Sequence, residues 1–190
     1  MRTVETKVYL FKELSDTAKQ KAIEWYRNGQ EFHWSSECIQ ALEKALEHFN
    51  VTLKDYSIDW DNINGCYTSI EFQQDDAFGD GIENLCGVRL WKYLQKNHST
   101  YFCKYNKKYK PTLDGNCPFT GWCWDESFLD PIREFIKKPT KISFGELIED
   151  CIHSLLKEGC NDWEYQQSDE VVSETIEANG YEFTEDGDRF

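Results

Sequence analysis

Between Ser143 and Gly159 the chain carries a helix that cannot lie open on a surface. Phe144, Leu147, Ile148, Cys151, Ile152, Leu155 and Leu156 recur at helical spacing and make a broad apolar face. A face that wide places the segment in the central core. Ser143 and Glu146 have the spacing of a capping box, in which each side chain satisfies an orphan backbone donor near the other. Gly159 reads as the C-cap, so the helix is expected over 143–158.

The other elements follow from similar local rules. Val4, Thr6, Val8 and Leu10 alternate with Glu5, Lys7, Tyr9 and Phe11, a strand pattern. Ser15-Asp16 caps a helix with Ala18, Ala22, Trp25 and Tyr26 on one face, stopped at Asn28-Gly29. A second helix runs from Ser35 to Phe49 on Cys38, Leu42, Ala45, Leu46 and Phe49. Short strands are expected at Val51–Leu53, Ser57–Trp60 and Tyr67–Phe72, broken by Asn62-Ile63-Asn64-Gly65. A helix over Ile82–Gln95 would bury Ile82, Leu85, Cys86 and Leu90, with Gly87 weakening it.

Tyr101 to Pro118 has no clear period and reads as a ribbon or long loop. A helix near Asp130-Pro131 buries Phe128, Ile132, Phe135 and Ile136, and Pro139 ends it. Ser168 caps a short acidic helix that stops at Asn179-Gly180, followed by a strand at Tyr181–Phe183. The order predicts a single α+β domain with five or six helices on a small mixed or antiparallel sheet.

The formal net charge is −14, and −9 of it lies in the last 29 residues, with ten acids against Arg189. That segment is not a featureless tail, because Trp163, Tyr165, Val171, Val172, Ile176, Tyr181 and Phe183 give a helix and a strand something to bury. A folded element studded with carboxylates repels nucleic acid and attracts basic protein surfaces. Glu170, Glu174 and Glu177 stand at i, i+4 and i+7, so they should project together as an interaction site. Trp163 and Trp124 would be the aromatic anchors if exposed.

One stretch opposes this trend. Tyr101 to Lys110 holds Lys104, Lys107, Lys108 and Lys110 between aromatics and contains no acid. Such interleaving suits phosphate contact and base stacking. It offers an alternative site, with these lysines over a pocket shared with Cys117, Trp122 and Trp124. The bland account is a solvated ribbon paired with the protein's own acidic face.

Metal and catalytic patterns are weak. Eight cysteines and no apolar leader point to a reduced cytoplasmic protein whose thiols pack as small hydrophobes. No apolar run reaches a membrane span of about 18 residues. Cys103, Cys117, Cys123 and His98 could together hold zinc, but no C-x-x-C spacing supports it, so no metal and no cofactor are assigned. Asp76 to Gly81 resembles the start of a calcium loop, with Phe78 and Gly87 where ligands belong. No Cys–His pair stands out from coincidence, and the chain is not read as an enzyme.

Phe11-Lys12-Glu13-Leu14-Ser15-Asp16-Thr17-Ala18-Lys19-Gln20-Lys21-Ala22, Leu46 to Val51 with Lys54 to Ser57, and Asp162 to Glu170 with Tyr181 to Gly187 occur in this order. Together with Thr120-Gly121-Trp122-Cys123-Trp124-Asp125, they make the chain resemble a family of small tailed-phage and prophage proteins, some loosely labelled antitoxins. The resemblance spans both ends and part of the middle and carries over no catalytic residue. It implies a phage-encoded protein in a bacterial host cytoplasm. Joined to the charge pattern, it predicts an inhibitor that occupies a basic groove on a host or anti-phage defence protein, imitating nucleic-acid phosphates. The alternative is a ligand- or nucleotide-handling protein built on segments 101–110 and 117–125.

Overall fold

A computed structural model describes residues 7–73, 81–99, 103–105, 108–110, 118–121 and 123–190, with the side chains of 103–105 and 108–110 left aside. The class is α+β: six α-helices and antiparallel strands in two-stranded pairs among these residues. The chain gathers into two compact units, residues 1–32 with 162–190 (the terminal unit) and residues 33–161 (the central unit).

The terminal unit starts at β1 (Tyr9–Leu10), a 3-10 turn at Phe11–Glu13 and α1 (Asp16–Asn28). The strand is shorter than expected and its faces are reversed. Val8 and Leu10 are exposed, whereas Phe11 is buried, because the turn points Phe11 inward. Val4 and Thr6 lie outside the described residues. Ser15 Oγ accepts from Ala18 N at 3.3 Å, which makes it the N-cap the sequence announces. α6 (Asp169–Asn179) is capped in the same way by Ser168, and Gly180 closes it. β6 (Glu182–Phe183) pairs antiparallel with β1, setting Tyr9 against Phe183. Phe11, Leu14, Ala18, Ala22, Ile23, Val172, Ile176 and Phe183 form the core of this unit. Gly187 is pinned there by a backbone φ of +85° and by the Ala18 carbonyl oxygen, which would lie 2.2 Å from an added Cβ.

The central unit contains α2 (Ser35–His48), the hairpin β2 (Val51–Ser57) and β3 (Tyr67–Phe72), and α3 (Gly87–Asn97). A short ribbon, β4 (Cys103–Tyr105) with β5 (Lys108–Lys110), precedes α4 (Trp124–Lys137) and α5 (Phe144–Gln166). Ile58 to Trp60, expected as strand, is irregular and runs into a turn, and a 3-10 turn at Ile63–Gly65 leads back into β3. The helix expected from Ile82 is instead a 3-10 turn at Ile82–Asn84 followed by α3. Gly87 starts α3 rather than weakening it, because its φ of +57° makes the bend. Leu90, Leu94, Phe49, Phe128, Phe144, Ile148 and Leu155 have no accessible surface, so the broad apolar face of α5 is core as predicted.

Two helix limits differ from the local rules. Pro131 lies inside α4 rather than near its start, although it removes a backbone donor to the preceding turn. Phe128, Leu129 and Ile132 are buried on either side of it, and their burial keeps the helix continuous. Gly159 does not stop α5. It lies inside the helix because the Trp60 ring takes its side-chain space: a Cβ there would sit 2.5 Å from Trp60 Cζ3. The Ser143–Glu146 box is formed as read, with Ser143 N on Glu146 Oε2 at 2.8 Å and Glu146 N on Ser143 Oγ at 3.2 Å.

Candidate functional site

α6 is oriented by two side chains. Val172 and Ile176 have no accessible surface and sit in the terminal core, which turns the opposite face outward. Glu170, Glu174 and Glu177 are all exposed on that face. At about 1.5 Å rise per residue they span roughly 10 Å along the axis. Asp169 and Glu170 also occupy the first turn, where the helix dipole favours negative charge.

The unit's own cations bind the rim of this surface. Lys12 Nζ lies 3.0 Å from Glu177, and Lys21 Nζ lies 2.8 Å from Asp188. Arg27 bridges Asp169 at 2.5 Å while its Nε donates to the Gln167 carbonyl at 2.8 Å. Arg189 donates to the Glu182 carbonyl at 2.9 Å, and its guanidinium lies 4.9 Å from the centroid of the Tyr181 ring. Glu164, Glu170, Glu174, Glu182, Glu185 and Asp186 are exposed and carry no ion pair among the described residues. These six carboxylates leave the late segment of the unit with residual negative charge.

Aromatic side chains border the same unit. Trp25, Tyr26 and Tyr181 meet edge to face or tilted, with Trp25 5.5 Å from Tyr181. Burial, and then the neighbouring Tyr181, push the Tyr26 phenol up, so it stays a neutral hydroxyl near neutral pH. The helical-face reading placed Trp25 inward, but it is 38% exposed, and Ile23 takes the buried position beside Ala22. Trp25 is thus a surface aromatic. Its only signal is its place at the edge of the α1 apolar face. Trp163 is half-buried against Phe32, with ring centroids 5.6 Å apart.

Trp124 is a correction. It is 3% exposed at the start of α4 and cannot serve as an exposed anchor, because the α4 stripe turns it into the central core. Next to it, Asp125 is fully buried and accepts from Phe119 N, Thr120 N and Thr120 Oγ1 at 2.7, 2.7 and 2.8 Å. Those bonds give the Thr120–Asp125 motif a structural role, closing the turn before α4.

In the lysine-rich stretch the backbone forms the β4–β5 ribbon, with Lys104 opposite Tyr109 and Cys103 opposite Lys110. Lys107, Cys117 and Trp122 lie outside the described residues, as do the side chains of Cys103, Lys104, Lys108 and Lys110. His98 is 5% exposed against Phe49 and Tyr93. Burial is the main cause that lowers its pKa to about 4, so near neutral pH it is a neutral ring in an aromatic core. Cys123 is exposed. Among the described residues no group of three His, Cys, Asp or Glu side chains could hold a metal ion. Among the described residues no helix is long and apolar enough to cross a membrane. Comparison with protein-family models, curated proteins and solved structures finds no match.

Proposed function

We propose that this is a phage-encoded acidic protein of the bacterial host cytoplasm that binds the basic surface of a host or anti-phage defence protein and blocks it in the manner of nucleic-acid phosphates. The observation that supports this reading is the α6 face, where Glu170 and Glu174 are exposed and lack an ion pair among the described residues. The helix carrying them is fixed by Val172 and Ile176. Fixed carboxylates keep their spacing as the partner approaches, so little ordering is lost on binding. Steering by a unit of seven bases and fifteen acids, net −8, would speed association and make it fall with salt.

The test is affinity capture from host lysate at low and high salt, comparing the natural protein with a Glu170→Lys, Glu174→Lys, Glu177→Lys variant. The expected result is a basic nucleic-acid-binding protein, held at low salt, released at high salt and absent from the variant. The variant should keep its helical circular dichroism, because all three positions are exposed. Equal capture by both proteins, or a partner indifferent to salt, would overturn the proposal.

A further inference from the structure

Within the central unit, the turn after β2 meets α5 at a corner remote in chemistry from the acidic helix. Two thiols share one acceptor there. Cys66 Sγ donates to the Asp59 carbonyl oxygen at 3.4 Å, and Cys160 Sγ donates to the same oxygen at 3.7 Å. Sharing one acceptor, the two thiols also lie close enough for Cys66 to influence the Cys160 thiol. Cys66 follows the 3-10 turn at Ile63–Gly65, and Cys160 belongs to α5. Both are partly exposed, so a small oxidant can reach them, whereas Cys151 is fully buried.

The frame around the pair is well tied. Trp60 lies over Gly159, and its Nε1 donates to Ser35 Oγ at 3.0 Å. Asp59 Oδ1 accepts from Asp61 N at 3.1 Å, and Asn62 Oδ1 accepts from Asn64 N at 3.1 Å. The Asp59 carboxylate also fills the space beside Gly65, with Oδ2 2.7 Å from where a Cβ would stand. The turn therefore holds Cys66 against the helix. Burial, then the neighbouring Cys66, then the Asp59 and Asp61 carboxylates push the Cys160 thiol up to about 11. Such a thiol is mostly protonated near neutral pH, which leaves the first attack to Cys66.

We propose that Cys66 and Cys160 form a dithiol modification site that closes to an intramolecular disulfide in the presence of a low-molecular-weight disulfide such as oxidised glutathione. The Cys66 thiolate attacks one sulfur of oxidised glutathione, forming a protein–glutathione bond and releasing one glutathione thiolate. Cys160 then loses its proton to solvent and attacks Cys66 Sγ, forming the protein disulfide and releasing the second glutathione thiolate. Two protein thiols are oxidised and one glutathione disulfide is reduced to two thiols, so atoms and electrons balance. The new bond ties the hairpin turn to α5 across a long loop of chain.

The experiment incubates the full-length protein with oxidised glutathione, blocks remaining thiols with an alkylating reagent, and maps the peptides by mass spectrometry. The expected product is a peptide pair joined through Cys66 and Cys160, with a mass about 2 Da below the reduced pair. Hydrogen exchange over residues 58–66 should slow in this product. Cys160→Ser should stop at a stable glutathione adduct on Cys66, and Cys86→Ser should close as the natural protein does. Natural protein that keeps glutathione on Cys66 without closing, or that joins other cysteines instead, would overturn the proposal. Mapping of the natural protein is decisive even if a serine variant fails to fold.

Discussion

In the central unit, fourteen bases stand against twenty acids, and the interior includes Phe49, Phe128, Phe144, Leu90, Leu94, Ile148 and Leu155 with no accessible surface. In the terminal unit, seven bases stand against fifteen acids over a core of eight buried side chains. Three ion pairs join its early and late chain segments: Lys12–Glu177, Lys21–Asp188 and Arg27–Asp169. The central unit relies on apolar burial, which ionic screening does not weaken. The terminal unit has fewer buried groups and more unbalanced charge, so polar ties and tight backbone contacts carry a larger share of its order. That arrangement has a cost, because uncompensated carboxylates repel one another.

The sharpest way to break that contrast is a cavity in the central core. Phe144 has no accessible surface and packs against Phe72 and Tyr93, with ring centroids 5.3 and 5.7 Å away. Phe144→Ala should cost about 3–5 kcal/mol, measured by denaturant unfolding. A loss below about 1 kcal/mol would mean that burial is not what holds this unit.

Acid should reach the central unit through His98. Its folded pKa of about 4 lies below the value near 6.5 of an unfolded histidine, so folding favours the neutral ring. The stability it contributes is complete above about pH 6.5 and is lost as pH falls toward 4. Over that window the loss should approach about 3 kcal/mol relative to a His98→Gln variant, read from unfolding curves at stepped pH. Equal acid sensitivity in the two proteins would place the titrating group elsewhere.

The terminal unit should be most sensitive in its backbone. Gly187→Ala meets the Ala18 carbonyl, and backbone atoms cannot move aside as a flexible side chain can. The left-handed φ adds to the strain, so a loss of about 2–3 kcal/mol is expected. Hydrogen exchange should speed up in α1 and α6. Unchanged protection there would show that the closing turn after β6 contributes nothing to holding the acidic helix.

Where the chain obeyed local rules, its sequence was enough to read them. Ser15, Ser143 and Ser168 cap helices because a hydroxyl needs only the donors of its own next turn. The outward face of α6 was readable for the same reason, since Val172 and Ile176 fix it by spacing alone. Pro131 does not start its helix and Gly159 does not end its own, because tertiary burial overrides the local signal at each. Trp124 lies inside and Trp25 outside for a related reason. Trp124 begins a helix whose stripe faces the core, whereas the smaller Ile23 takes the α1 core position. No spacing rule could join Cys66 to Cys160, because their meeting depends on how the hairpin turn docks on α5.

The smallest expected effect is also the one that separates charge from hydrogen bonding in the terminal unit. Arg27 makes an ion pair with Asp169 and a second bond to the Gln167 carbonyl, from a side chain only about one-third exposed. Arg27→Ala should cost about 1 kcal/mol, and Asp169→Ala less, because exposed ion pairs contribute at most about 1 kcal/mol. A double-mutant cycle isolates the pair. In about 1 M salt, where the Debye length is roughly 3 Å, the coupling between the two residues should shrink while the cost of Arg27→Ala persists through the lost carbonyl bond. If both vanish with salt, the guanidinium acts as charge alone, and the terminal unit depends on electrostatics even more than its small core implies.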